Sequence, residues 1–265
     1  MKCLLAVCSQ KRIFQVKEAK IVSIQVGLVK TLERRDANKS TQKTWTTGLF
    51  KTAVSGPVRV GKLSLDGDAQ ANLVAHGGVH KAVNAYPAEH YSYWQQHLPH
   101  LGMTYGAFGE NFTTSGLLED EVCVGDIFKA GGAIVQISHP RQPCWKLEQR
   151  WGVKDFMAQV NKTGRTGWYL RVLQEGYVEA GNALVLVERP FPQWTIARAN
   201  EVMRNRKTDP LSAWTLARCS ALAPTWQKNL RITSWLPKTI WQQCVRFGKK
   251  ASHSLQKALP NNKGL

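Results

Sequence analysis

Between Ile21 and Glu188 the apolar positions fall in short runs rather than in long helical stripes. Ile21 to Val29, Val58 to Leu65, Val122 to Phe128, Ala133 to Ile137 and Ala183 to Val187 are such runs, punctuated by Gly56-Pro57, Gly131-Gly132 and Gly181-Asn182. Short β-branched and apolar segments between turn residues predict strands, and so many of them predict a mostly β barrel or sandwich. Ala133-Ile134-Val135-Gln136-Ile137 reads as a buried strand. Two helical inserts interrupt the pattern: Pro87 to Leu98, with proline in the first turn, and Val153 to Lys162, closed by Gly164. Neither is long enough to build a βαβ sheet. After a hinge at Arg189-Pro190-Phe191-Pro192 the spacing predicts three helices: Thr195 to Arg206, Pro210 to Leu222 capped by Asp209, and one from Thr225 capped by that residue. The pattern divides the chain into an N-terminal extension (1–19), a β domain (20–189), a small all-α domain (190–247) and a basic flexible tail (248–265).

A length of 265 residues allows one large domain with an appendage. The six cysteines are scattered, with no CxxC pair and no Cys/His grouping at zinc spacing, which argues against structural zinc and a disulfide scaffold. No apolar stretch approaches the roughly 20 residues of a membrane span, and the run Cys3 to Cys8 lacks a cleavage site behind it. A cytoplasmic location is the expectation. The net charge of +18 changes the picture, because it implies an anionic partner. It is lopsided: no Asp or Glu follows Asp209, while Trp214, Trp226, Trp235 and Trp241 alternate with cations. That segment suits either helix packing with a solvated basic face, or binding of nucleic acid or an anionic membrane. No RNP, KH, zinc-finger or homeodomain signature accompanies it.

The densest chemistry lies in Ser138-His139-Pro140-Arg141-Gln142-Pro143-Cys144-Trp145-Lys146-Leu147. Two prolines make a stiff, extended loop after the strand, and Arg141 and Lys146 favour thiolate over thiol at Cys144. A buried structural cysteine is the alternative reading. Three further segments have the character of a ligand site: Lys43-Thr44-Trp45-Thr46-Thr47-Gly48-Leu49-Phe50-Lys51, Leu65 to Gln70 with His76-Gly77-Gly78 behind it, and Gly109-Glu110-Asn111. Paired glycines let backbone amides approach an anion. Hydroxyls and lysines suit phosphate, and a desolvated Glu110 would serve as a proton donor. Each segment taken alone also reads as an ordinary turn.

In their order and identity these segments resemble the MOSC domain family, and within it the YiiM-like branch with a C-terminal three-helix domain. The resemblance spans roughly residues 20 to 235. It implies a barrel-like, mostly β fold that binds molybdenum cofactor, a pterin dithiolene with a phosphate. It also implies reduction of N-hydroxylated compounds such as 6-hydroxylaminopurine to amines. By motif, Cys144 would be the thiolate on molybdenum, a soft ligand for such a metal. Lys51, Lys81, Arg141, Gln142 and Lys146 would hold the cofactor, His76 and Glu110 would deliver protons, and Asn111 would orient substrate. No flavin, haem or iron–sulfur motif is present, so an external electron-donor reductase is implied. A cofactor carrier, or a sulfur-transfer protein with a persulfide on Cys144, fits the same resemblance. The chain departs from the family pattern at Asn72 and His80, where Asp is commoner.

Overall fold

The computed structural model describes residues 18–35, 41 and 43–231. The N-terminal extension before residue 18, and the tail with Trp235 and Trp241, lie outside the described residues. Two compact units result, dividing between Ala197 and Arg198.

In the first unit the strands are β1 (Lys20–Val26), β2 (Lys30–Glu33), β3 (Thr44–Thr47), β4 (Thr52–Ala53), β5 (Val58–Val60), β6 (Val83–Pro87), β7 (Phe112–Ser115), β8 (Ile127–Ala130), β9 (Ala133–Pro140), β10 (Trp168–Gln174), β11 (Gly176–Val178) and β12 (Leu184–Glu188). Eight of them form one mixed sheet in the order β12-β8-β9-β10-β6-β7-β1-β4, and β2 with β3 and β5 with β11 make two small antiparallel pairs. Only β6 and β7 of the large sheet run parallel. The sheet curls until its ends meet: Leu184 N donates to Ala19 O at 2.7 Å, Ile21 N to Asn182 O at 3.0 Å and Gly181 N to Ile21 O at 2.7 Å. This seam satisfies backbone groups that an open edge would leave unpaired, and it gives the barrel-like, mostly β architecture expected from the short apolar runs.

Alternation places Ala133, Val135 and Ile137 of β9 inside, against Leu170 and Val172 of β10. A second core lies under the helices α2 (Glu89–His97), α3 (Lys146–Trp151) and α4 (Phe156–Thr163), which follow a one-turn α1 (Leu73–His76). There Tyr86, Trp94, Phe108, Leu147, Phe156 and Val160 are buried together, with Tyr86 stacked on Phe108 at 4.2 Å. Large aromatic side chains dominate such a core energetically. It fixes the segments around residues 108 and 147, which carry the site described below.

Several boundaries differ from the sequence pattern, each for a local reason. The Val122 to Phe128 run is not one strand: Asp126 accepts from Cys123 N at 2.8 Å and closes a turn, so β8 begins at Ile127. The helix expected from Val153 starts at Phe156, because Asp155 has φ +58°, outside the right-handed helical region. The strand expected to stop at Ile137 continues to Pro140, pairing Trp168 with Pro140 after a register shift. A proline at the end of a strand removes only a terminal donor. The helix α3 was not expected from the sequence.

The second unit holds most of α5 (Ile196–Asn205), with α6 (Pro210–Ala217) and α7 (Pro224–Leu230). Asp209 caps α6 by accepting from Ser212 N at 3.1 Å, and hydrogen bonds from the Ser212 hydroxyl and amide hold its carboxyl below the ordinary range. Thr225 is not the cap of α7. The helix begins a residue earlier, with Pro224 in the first turn where a missing N–H costs nothing. Trp226 is buried, and Trp214 carries Arg218 over its ring at 4.6 Å, so these two tryptophans pack within their own unit. No helix among the described residues is long and apolar enough to cross a membrane.

Candidate functional site

The segments singled out in the sequence meet at one cleft of about 600 Å3, open solvent included. One wall is the turn after β3, Thr47 to Leu49, laid against Asp68 to Ala71. The opposite wall is the loop from β9 to α3, with Arg141, Gln142 and Cys144, followed by Lys146. His76, Lys81, Asn84 of β6, Gly109, Asn111 and Tyr169 of β10 complete it. Two glycines are needed for the approach of these walls. A Cβ on Gly48 would be driven into the Ala69 carbonyl, and one on Gly109, which has φ +70°, into the Leu49 side chain.

Cys144 is a half-buried free thiol at the cleft wall. Its carbonyl accepts from Leu147 N at 3.0 Å, and Leu147 is fully buried. The next residue, Trp145, packs against Trp45 at 5.7 Å and carries Arg34 over its ring at 4.7 Å. The thiol is therefore held on a backbone pinned just after it.

Arg141 is 3% exposed. Its Nη2 donates to Phe108 O at 2.8 Å and its guanidinium also interacts with the Tyr169 hydroxyl, while the buried Nη1 has no hydrogen-bond partner of its own. A buried donor left unmatched is costly unless a ligand or water completes it. Lys81 donates to Ala75 O, and burial lowers its pKa. Lys51 lines the cleft but is ion-paired with buried Asp68, whose other oxygen accepts from Asn111 Nδ2 at 2.9 Å. The cleft's acid is thus matched by Lys51, and Lys81, Arg141 and Lys146 leave it positive.

His76 reports that field. Burial first, then Lys146, Lys81 and Arg141, push its pKa down from 6.5 to about 4. The imidazole is neutral at physiological pH and does not begin as a charged proton donor. In the window between 6.5 and about 4 the unfolded chain binds a proton that the folded chain refuses, so stability present above that window is lost as pH falls through it. Urea midpoints of the metal-free protein should therefore drop from pH 6.5 to 4.5, and His76→Gln should reduce that dependence, leaving the share of His139 and His80, whose pKa values burial also lowers. Equal slopes for the two proteins would contradict it.

Two expected site residues behave differently from their sequence reading. Asn111 lines the cleft, but Oδ1 accepts from Asn84 N at 3.1 Å while Nδ2 donates to Gln25 O at 3.2 Å and to Asp68. Its amide is used by the fold, which leaves no free group to orient a substrate. Glu110 does not line the cleft and is fully buried. Its carboxylate accepts from Tyr91 Oη, from Gly106 N at 2.7 Å, from Phe108 N at 3.1 Å and from Thr113 Oγ1 at 3.0 Å. It holds the 106–110 turn together and is not placed to deliver a proton into the cleft. Asn72, one of the departures from the family pattern, caps α1 by accepting from Ala75 N at 2.9 Å. Sequence reasoning passed over Asp68, although it stood in a flagged segment, and also Asn84 and Tyr169, which carry no local motif.

Among the described residues no group of three His, Cys, Asp or Glu side chains gathers to hold a metal ion. A metal here would need a carrier that brings its own ligands, with Cys144 as a protein thiolate. A positive cleft with a thiol and an unmatched guanidinium fits such an anionic carrier. The fold and cleft define a β-barrel protein shaped to hold an anionic ligand beside a cysteine.

Comparison with known proteins gives that description a family. The MOSC domain model matches residues 72–185. An uncharacterized Bacillus subtilis protein, YflK, is 39% identical over 209 residues, 79% of this chain and 91% of that protein. The crystal structure of YiiM from Geobacillus stearothermophilus shares 40% identity and superposes with a TM-score of 0.67, covering 80% of this chain and 97% of that one. A Gibberella moniliformis protein named Reductase is 36% identical over 183 residues, 68% of this chain but only 32% of that protein. The chain belongs to the MOSC domain family, in its YiiM-like branch. MOSC domains as a family are associated with molybdenum cofactor.

Proposed function

We propose that this protein is a molybdenum-cofactor enzyme that reduces N-hydroxylated compounds, hydroxylaminopurine-type bases among them, to amines. The observation that carries the reading is the buried, unpartnered Arg141 Nη1 on the same loop as Cys144, in a cleft whose remaining cations outnumber its acids. Lys81 and Lys146 suit the cofactor phosphate, and the Arg141 fork suits a phosphate or the polar edge of a pterin. Lys51, already paired with Asp68, shapes the wall, and Gln142 borders it. Cys144 suits the metal. When bound, the cofactor supplies a metal that accepts oxygen and passes electrons in pairs.

The reaction consumes two electrons and two protons per N–OH, releasing water and leaving N–H. The sequence carries no redox motif of its own, so the electrons come from an external donor reductase. His76, neutral and set among three cations, is suited to offer an uncharged N–H. The fungal relative's name supports a redox class. The same proposal includes a MOSC barrel over 20–189 and a three-helix domain over 190–247.

The test is to express the full chain in a host replete in molybdenum cofactor and to measure molybdenum and pterin in the purified protein. Turnover of benzyl hydroxylamine or 6-hydroxylaminopurine is then followed with an artificial electron donor. Stoichiometric molybdenum and amine formation are expected. Protein without molybdenum and without turnover would overturn the reading.

A further inference from the structure

Asn84, on β6, is 7% exposed and lines the cleft. Its Nδ2 donates to Gly109 O at 3.2 Å. That bond fixes which way the amide faces, because only the nitrogen can serve a carbonyl. The other end, Oδ1, is buried with no partner. Its nearest polar neighbour of the same type cannot answer it, since Asn111 spends its amide on Asn84 N, Gln25 O and Asp68.

Arg141 repeats the arrangement with the opposite polarity. Its Nη2 is tied to Phe108 O at 2.8 Å, one residue before the carbonyl that ties Asn84, and its Nη1 is the unmatched donor. Consecutive carbonyls of one turn thus anchor two cleft side chains. One leaves a bare acceptor and the other a bare donor. Gly109, whose φ of +70° strains any other residue, and Glu110, which ties the preceding amides, fix that turn. Buried polar atoms are nearly always matched in folded proteins, so an unmatched pair lining one cleft points to what a ligand there must bring.

We infer that Asn84 is a specificity-determining residue: its Oδ1 accepts an N–H, next to the acceptor served by Arg141, from a ligand with an amide-like or amidine-like edge. That edge has two sources under the function proposed above, on which their naming rests: the pyrimidinone edge of a pterin, or an amidoxime-type substrate. Discrimination rests on the penalty of leaving the buried oxygen unmatched when the N–H is missing.

The test is calorimetric titration of the full chain, purified without cofactor, with free pterin, benzamidoxime and N,N-dimethylbenzamidoxime, which lacks the N–H. Wild type should bind at least one edge-bearing probe about tenfold more tightly than the dimethyl compound. Preference for pterin assigns the cofactor as source, and preference for benzamidoxime the substrate. In Asn84→Leu the preference should vanish, while binding of inorganic phosphate to the cleft cations stays as in wild type. If Asn84→Leu fails to fold, the three-probe comparison on wild type decides alone. A wild type that binds no edge-bearing probe, or binds the dimethyl compound as well, overturns the inference, as does an Asn84→Leu protein that still discriminates. In those cases a water alone completes Oδ1. Such a failure leaves the molybdenum analysis intact, and a protein that never loads molybdenum leaves the probe comparison standing.

Discussion

Cys144→Ser should yield a folded protein that has lost its molybdenum. A hydroxyl is a poor replacement for a soft thiolate on such a metal, and first-contact ligands matter more than the surrounding partners, whose loss already costs about 10- to 100-fold. Metal content and N-hydroxylamine turnover should both fall by more than about a hundredfold. The melting temperature of the metal-free protein should stay within about 2 °C, because half-exposed positions away from the core tolerate such changes. The outcome also separates the other readings. A persulfide carrier loses its transferable sulfur in Cys144→Ser but keeps any bound cofactor. A nucleic-acid or membrane binder keeps an affinity that falls steeply with salt, with or without the thiol. Retention of molybdenum and turnover by Cys144→Ser would remove the cysteine from the metal and with it the main chemical role assigned to that loop.

How much of this was visible in the sequence depended on whether a residue's surroundings are local. The Cys144 loop was legible because its constraints are adjacent: two prolines, two cations and a strand just before them. The parts of the cleft wall at Thr47-Gly48 and His76 were legible for the same reason. The barrel's punctuation was too, although its closure through Ala19, Ile21 and Asn182 joins segments at opposite ends of the sheet and leaves no local mark. Tyr169 and Asn84 reach the cleft through strand pairing, β10 on β6 and β6 on β7, and nothing beside them in the chain signals it. Asn111 and Glu110 were misread because a polar residue near a glycine looks the same whether it faces ligand or backbone. What decides is the number of donors and acceptors that converge on it, and those come from Gln25, Asp68, Asn84, Tyr91 and Thr113.

Glu110→Ala tests that distinction most severely. Removal of the carboxylate leaves the Tyr91 and Thr113 hydroxyls and the Gly106 and Phe108 amides without their acceptor in a buried setting. Leaving several buried donors unmatched, at about 1–3 kcal/mol each before relaxation, lowers the melting temperature of a chain of this size by roughly 10 °C. The damage should spread to the cleft, because the same turn offers Phe108 O to Arg141, Gly109 O to Asn84 and Gly106 O to Arg150 at 2.8 Å. Glu110→Gln keeps shape and one acceptor oxygen but opposes an NH2 to existing donors, and should cost about 1–3 kcal/mol. A proton-delivery role makes the contrary forecast: Glu110→Gln would melt like wild type while its turnover collapses. Thermal melts paired with molybdenum content decide between them. A loss of melting temperature that runs in parallel with loss of bound cofactor, larger in Glu110→Ala than in Glu110→Gln, is the signature of a residue that builds the wall instead of working at it.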